Sequence, residues 1–590
     1  MTYGFSLPRR RFLQGLTAMT ALAFSKLGLE APGKAAWASN ATQSENAKPG
    51  AADWELTQAA LNREIEGYAS RTSVNRGEQI QLFVNTADHA YTIDLFRMGW
   101  YGGLGARRIL PTISRPGITQ IVPTADPVTG MIECDWIDPY IITTSNPGDS
   151  TEWPSGVYLA KLTGSSGNQS YIVFTVRDDA RASDFLFLCA ANTYQAYNNW
   201  GGKSLYGFNS TGPRAAKVSY NRPYAMRPYN TQLDGAGDFL RRWEYNMVRF
   251  LEREGYDVAY ATDVDAHSSA EALLHHQGLL IVGHSEYWSW QMRQNVVAAR
   301  DAGVDLGFFA ANTCFWQIRH EPSPLTGDPN RTIVCYKDAT TDPFARDLDP
   351  ANDHLVTVTW RDTPVNLPEG AFIGVQYVTE PGNDLDIVIE NAASWVCNNT
   401  GLHNGDRLTG LLGYEVDAEA GNQPAGTQRI AHSPIPNSSS MADMTVYTAP
   451  SGALVFATGS MNFNWGLDDY NAPALHANYV NAAAQQMTRN VLAAMPSALP
   501  AAPSNLTAQS HSKSTIQLRW ADASNNETSF RIERSVSAGS GFAEIGSVGA
   551  GVTSYTDRAV SRKRTYFYRV RAATATAFSA YSNTAQATVR

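Results

Sequence analysis

The chain has 590 residues, 43% of them hydrophobic and 17% charged, which at roughly 100–200 residues per domain implies about three or four domains. That apolar fraction excludes a disordered chain, and the 46 Gly and 29 Pro follow no collagen period. Residues 1–38 carry five basic and one acidic side chain, so the rest of the chain holds a net charge of −13, which disfavours nucleic acid and anionic lipid as general partners.

Residues 1–38 open with Arg9-Arg10-Arg11-Phe12-Leu13, continue through a modest apolar stretch over 16–29 and end on Ala36-Trp37-Ala38, a small-x-small cleavage site. This is the layout of a removable signal peptide, and the Arg-Arg-x-Phe-Leu order resembles a twin-arginine signal. It predicts export to a periplasmic or extracellular location. Beyond it no apolar run reaches about 18 residues, so no membrane-spanning helix is expected. Five cysteines occur, at 134, 189, 314, 335 and 397. None has CxxC spacing, which speaks against a Cys-rich zinc site; one or two disulfides stay open, with the pairing undetermined.

Residues 39–64 form a leader whose first part, 39–55, is small, polar and expected to be flexible. Residues 65–180 read as a β-sandwich: 79–84 and 91–96 alternate apolar and polar side chains, and 156–162 and 171–176 continue the pattern between turn residues. From 181 to 495 the pattern becomes α/β. Apolar strands are expected at 184–189, 256–261, 278–282 and 306–310. Helices are expected at 239–254, closed by Gly255, and at 288–302, closed by Gly303. The alternation predicts an open, mostly parallel sheet flanked by helices. A β-rich stretch at 331–450 resists placement, while 453–459 and a helix over 472–495 rejoin the α/β core.

Residues 496–503 are a Pro/Ala linker. Residues 504–590 contain evenly spaced short strands and resemble a fibronectin type III domain over their whole length, with Trp520 and Tyr568 at its core aromatic positions. This module carries +6, leaving −19 on residues 39–503. A basic end on an acidic body can bind surface polymers, although such a face is more often simply solvated.

Ligands of open α/β sheets bind beyond the carboxyl ends of the strands. Four strands here end in polar clusters: Asn192-Thr193-Tyr194-Gln195-Ala196-Tyr197, Thr262-Asp263, His284-Ser285-Glu286 and Asn312-Thr313-Cys314. Four such clusters on one edge mark a candidate site. Glu286 and Asn312 each have a helix-capping alternative. Tyr194 and Tyr197, three apart, predict that one enters the site while the other packs. Cys314 with His284 suggests a Cys–His hydrolase, but Thr313 and Phe315 crowd a nucleophile elbow, and a buried thiol fits better. Zinc-protease, P-loop and dinucleotide motifs are absent from the sequence.

Those clusters, together with Ser155-Gly156-Val157-Tyr158 and residues 253–258 and 283–289, resemble the N,N-dimethylformamidase large-subunit family over about residues 60–495. The strand order also resembles a class I glutamine amidotransferase-like fold lacking its Cys nucleophile. The resemblance implies a mononuclear iron, as Fe3+, held by two tyrosines and one glutamate. Carried over by motif, the ligands are Tyr158, Tyr197 and Glu286, with His284, Glu286 and Asn312 as the catalytic set. Tyr194 is the substitute for Tyr197, and Tyr194 or Tyr206 for Tyr158. Phenolate and carboxylate are hard oxygen donors that suit ferric iron. The activity implied is hydrolysis of amide-type C–N bonds in a small amide or an exported polymer. The alternatives are a non-catalytic exported polymer- or glycan-binding protein and the Cys–His hydrolase. Family members work with a small subunit, so a small partner subunit and homo-oligomerisation both stay open. The signal and the fibronectin module depart from the family's cytoplasmic pattern and point away from dimethylformamide as substrate.

Overall fold

The computed structural model describes residues 40–590 apart from 145–152, 226–234, 348, 496–499, 501, 525–526, 574–577 and 580. The signal segment and most of the linker lie outside the described residues. The leader does not stay loose as expected. Asn40 caps a short helix, Ala41–Asn46, and donates through Nδ2 to the Gly255 carbonyl at 2.9 Å. Thr42, Glu45 and Trp54 are each 2% exposed. Polar composition suggested mobility, yet these polar groups find buried partners, which holds the segment in place.

The predicted sandwich is present. One antiparallel sheet joins Ile65–Ala69, Gln79–Thr86 and Tyr140–Thr143. The other is built on Ala90–Met98, Gly156–Gly164 and Gln169–Arg177. Their inner faces enclose a core of Ile80, Leu82, Ile93, Tyr158, Phe174 and neighbours.

The α/β region is built on a seven-stranded sheet. Five strands run parallel, in the order Val258–Thr262, Ser183–Cys189, His276–His284, Asp305–Ala311 and Leu454–Ala457. Met441–Thr448 and Gln428–Pro434 extend it antiparallel. The four early strands arise from continuous apolar runs, buried on both faces by helices. The helices start later than expected. Glu244–Glu254 begins five residues after the first periodic residue and ends, as expected, on left-handed Gly255. Ala482–Ala494 starts where the Asn481 side chain accepts from the amides of 483 and 484, not at 472. Sheet order reverses between Ser183–Cys189 and His276–His284, since the chain steps outward to Val258–Thr262 and then back across. Such a switch point opens a crevice at the strands' carboxyl ends.

Sandwich and sheet share a core, and Arg97 fastens them together. Its guanidinium is 1% exposed and pairs with Glu252 at 2.8 Å. It also donates to the Ser155 carbonyl at 2.9 Å. The C-terminal residues form two antiparallel sheets. Ser504–Ser512, Thr515–Ala521 and Ser554–Asp557 face Ala543–Gly549, Ser529–Ser535, Thr565–Ala573 and Ala585–Thr588. Trp520 and Tyr568 lie in their common core, as the fibronectin resemblance implies. Among the described residues no helix is long and apolar enough to cross a membrane, and all five cysteines are buried and unpaired.

Candidate metal centre

The crevice at the switch point holds the expected strand-end residues. His276–His284 ends through Gly283, whose φ of 68° turns the backbone and whose missing side chain matters: a Cβ there would stand 2.9 Å from Trp243 Cβ. The turn presents His284 and, two residues on, Glu286. The capping alternative for Glu286 fails because Ser289 caps the following helix, accepting from the Met292 amide at 3.1 Å. The capping alternative for Asn312 fails too, since Asp305–Ala311 leads into the strand Trp316–Glu321 and no helix follows. Asn312 instead occupies the left-handed region, with φ 49°.

Two phenols converge on Glu286. Tyr197, at the end of the helix Ala191–Tyr197, donates to Glu286 Oε2 at 2.8 Å. Tyr206 donates to Glu286 Oε1 at 2.6 Å. The two hydroxyls are 3.1 Å apart. The Glu286 amide is fixed by Thr193 Oγ1 at 3.0 Å. Three oxygen-bearing side chains thus meet at hydrogen-bond separations, with both tyrosines only half-buried.

Charge is arranged around this triangle in layers. Burial pushes the Tyr197 and Tyr206 hydroxyls well above their usual range, and the Glu286 charge adds to it. Burial also acts to raise Glu286, but His284 and Lys337 outweigh it and hold the carboxyl below its usual value. His284 Nε2 is 3.4 Å from Glu286 and 3.2 Å from Glu415. Burial opposes its charge, yet the two carboxylates push the imidazole up to about 10. Asn312 Nδ2 donates to Glu415 at 2.7 Å and its amide donates to Asp417 at 2.7 Å, leaving the buried Asn312 Oδ1 without a partner among the described residues. Lys337 Nζ sits 3.2 Å from the centre of the Tyr206 ring and donates to the Tyr287 hydroxyl at 2.6 Å.

Not every expected ligand is here. Tyr158 is fully buried in the sandwich, stacked between Trp153 and Phe174, with its hydroxyl donating to the Pro154 carbonyl at 2.7 Å. Its strand pairs on both sides within the sandwich, so the side chain is core and does not serve as the expected ligand; the second phenol that meets Glu286 is Tyr206. Tyr194 turns to the opposite side of its helix and donates to Glu244. Cys314 lies in the apolar core under the sheet, where burial pushes the thiol up to about 12. Its Sγ approaches Arg293 and no histidine, which removes the Cys–His dyad.

The oxygen triangle fits a cation. Donors that are neighbours around an octahedral ion with bonds of about 2.0–2.1 Å stand about 2.9 Å apart, close to the 2.6, 2.8 and 3.1 Å that link the two phenol oxygens to each other and each to a different carboxylate oxygen of Glu286. Two phenols and a carboxylate would supply three negative charges to a trivalent ion that deprotonates the phenols, while the cationic Lys337 and His284 stabilise the same oxygen anions. Among the described residues, groups of three His, Cys, Asp or Glu arranged to hold a metal are absent, so the phenols are what distinguish this site. Sequence reasoning missed the roles of Glu415 and Lys337, both within the unplaced 331–450 stretch. The one local signal was the Glu415-Val416-Asp417 alternation after Gly413.

Residues 92–479, well over half of the chain, match the family described as N,N-dimethylformamidase beta subunit-like, C-terminal. No curated protein matches significantly. Among solved structures, an Fn3-like protein from Clostridium thermocellum is similar at 29% identity, covering 15% of this chain and 92% of that one, with a TM-score of 0.14. Domains A168–A170 of titin are similar at 21% identity, covering 15% of this chain and 32% of theirs, TM-score 0.15. A beta-1,2-glucanase from Parabacteroides distasonis is similar at 25% identity, covering 16% of this chain and 14% of its own, TM-score 0.14.

Proposed function

Because the chain belongs to the N,N-dimethylformamidase beta subunit-like family, we propose that it is an exported, iron-dependent hydrolase of amide-type C–N bonds. Tyr197, Tyr206 and Glu286 hold the iron. When bound there, ferric iron supplies Lewis acidity toward a carbonyl oxygen and toward water. The single observation that carries this reading is the convergence of two phenol oxygens and one carboxylate at separations of 2.6, 2.8 and 3.1 Å.

The protein's own groups divide the remaining work. His284, held as the imidazolium between Glu286 and Glu415, donates its proton to the leaving nitrogen as the C–N bond breaks and is reprotonated by the proton released from the attacking water. Glu415 orients the imidazole and offsets its positive charge. Asn312 spends its Nδ2 on Glu415, which leaves Oδ1 to accept an N–H or a water hydrogen and so to orient the substrate. Lys337 holds positive charge against the face of Tyr206 and lowers the cost of ionising that phenol.

Metal analysis of protein purified without chelator tests the reading. About one iron per chain is expected, with a visible phenolate-to-iron band that Tyr197→Phe and Tyr206→Phe each diminish and Glu286→Ala abolishes along with the metal. A folded, colourless, iron-free protein that cannot be loaded with iron overturns it.

A further inference from the structure

The C-terminal module has one strongly cationic end. The loop between the strands Ser554–Asp557 and Thr565–Ala573 reads Arg558-Ala559-Val560-Ser561-Arg562-Lys563-Arg564, four cations and no carboxylate in seven residues. All four are exposed. The loop is stiff. Ser561 donates its amide to the Tyr566 hydroxyl at 3.1 Å, Lys563 donates its amide to the Val589 carbonyl at 2.9 Å, and Arg562 Nε reaches the Arg590 carbonyl at 3.4 Å. Arg590 in turn donates its amide to Ser510 Oγ at 3.3 Å, which brings the turn bearing exposed His511 and Lys513 to the same end.

These cations are unneutralised. Arg558, Arg562, Lys563, Arg564, Arg590 and Lys513 form no ion pair among the described residues, nor does Arg519 on the strand Thr515–Ala521, whereas Arg531, Arg534, Arg569 and Arg571 are each paired with Glu544, Asp557 or Glu533. The cationic end is also the one far from the linker. Ser504–Ser512 begins at the linker and ends at the tip, and nine residues at about 3.4 Å each place the tip on the order of 27 Å further out. Residues 39–503 carry −19, so the module's positive charge is set against an acidic body in the same chain.

We propose that this tip docks the protein onto a linear acidic polysaccharide, a single-chain polymer bearing carboxylate groups. Arginine forks grip carboxylates through paired N–H bonds. A single chain can touch the tip alone, whereas a wide, densely charged surface would also meet the acidic body and be repelled. The proposal is independent of the iron site and stands or falls without it.

Retention of the full exported chain on immobilised polygalacturonate, with neutral dextran as the control, tests the proposal. Retention is expected at low salt and should be lost near 1 M salt, where screening shortens to about 3 Å. Arg562→Glu with Lys563→Glu should cut affinity at least about tenfold, while Arg531→Glu on the sheet face should leave it within about twofold; circular dichroism checks that each variant is folded. Three results overturn the proposal: no retention of the unaltered chain, equal retention of the double variant, or stronger binding to duplex DNA or phosphatidylserine vesicles than to polygalacturonate.

Discussion

Tyr158, carried over by the resemblance, and Tyr206, its substitute, sit in opposite settings, and the difference lies in what each hydroxyl meets. Tyr158 gives its hydrogen bond to a backbone carbonyl inside a packed core; Tyr206 gives its own to a carboxylate at a crevice. Tyr158→Phe is therefore expected to leave iron content and colour unchanged and to cost about 1 kcal/mol of stability through the orphaned Pro154 carbonyl. Tyr206→Phe should lose most of the visible band. Chemical denaturation and absorption spectra of the two variants check this pair, and a Tyr158→Phe protein without colour would return that residue to the metal. Lys337 gives a second residue-scale test. Removing its charge from the face of Tyr206 raises the energy of the phenolate electrons, so Lys337→Met should move the charge-transfer band to longer wavelength with iron retained. Glu415→Gln should likewise keep the iron while turnover of an amide substrate falls roughly ten- to a hundredfold, as expected for a partner that orients and balances His284.

At the scale of elements, the joint between the sandwich and the α/β sheet rests on buried charge. Arg97 and Glu252 are both nearly inaccessible, so Arg97→Met would leave an unpaired carboxylate in the interior and should cost about 3–5 kcal/mol, readable as a lower denaturation midpoint. The leader helix adds to this joint through Glu45. Burial acts to raise its carboxyl, but Arg97, Arg107 and the Lys48 hydrogen bond pull it down to about 2. A folded value below the usual 4.5 means the folded state binds the proton less readily than the unfolded one. The stabilisation is therefore full above about pH 4.5 and is lost as pH falls toward 2. Glu45→Gln should flatten stability over that interval and leave it unchanged in shape between pH 6 and 8; an unaltered acid limb in a pH series of thermal melts would contradict the assignment.

For the molecule as a whole, the composition of the linker and the closed pairing of the last strands predict a separable module. Cleavage within 496–503 should release a folded C-terminal fragment, leaving a body that keeps its melting temperature and iron; a body that unfolds on cleavage would refute modularity. Export belongs to this scale as well. Arg9→Lys with Arg10→Lys should strand the chain in the cytoplasm, and unchanged export would rule out the twin-arginine route.

The sequence by itself determined what depends on neighbours along the chain. Continuous apolar runs at 184–189, 278–282 and 306–310 had to be buried strands, because a run without polar alternation has no solvent face. Gly255 had to end its helix, and the clusters that follow those strands had to gather on one sheet edge once the strands ran parallel. Glu286, His284, Asn312 and one of the two tyrosines of 194 and 197 were legible for that reason. Tertiary structure alone decided the rest. Which tyrosine faces the crevice depends on how the helix Ala191–Tyr197 rolls against the sheet. Whether Tyr158 or Tyr206 completes the triangle depends on which chain segment lies over Glu286. Glu415 and Lys337 reach the site from short strands and turns of the 331–450 stretch, more than a hundred and about fifty residues from Glu286 along the chain. No local pattern records a meeting between such distant segments; it is fixed by the packing that brings them together.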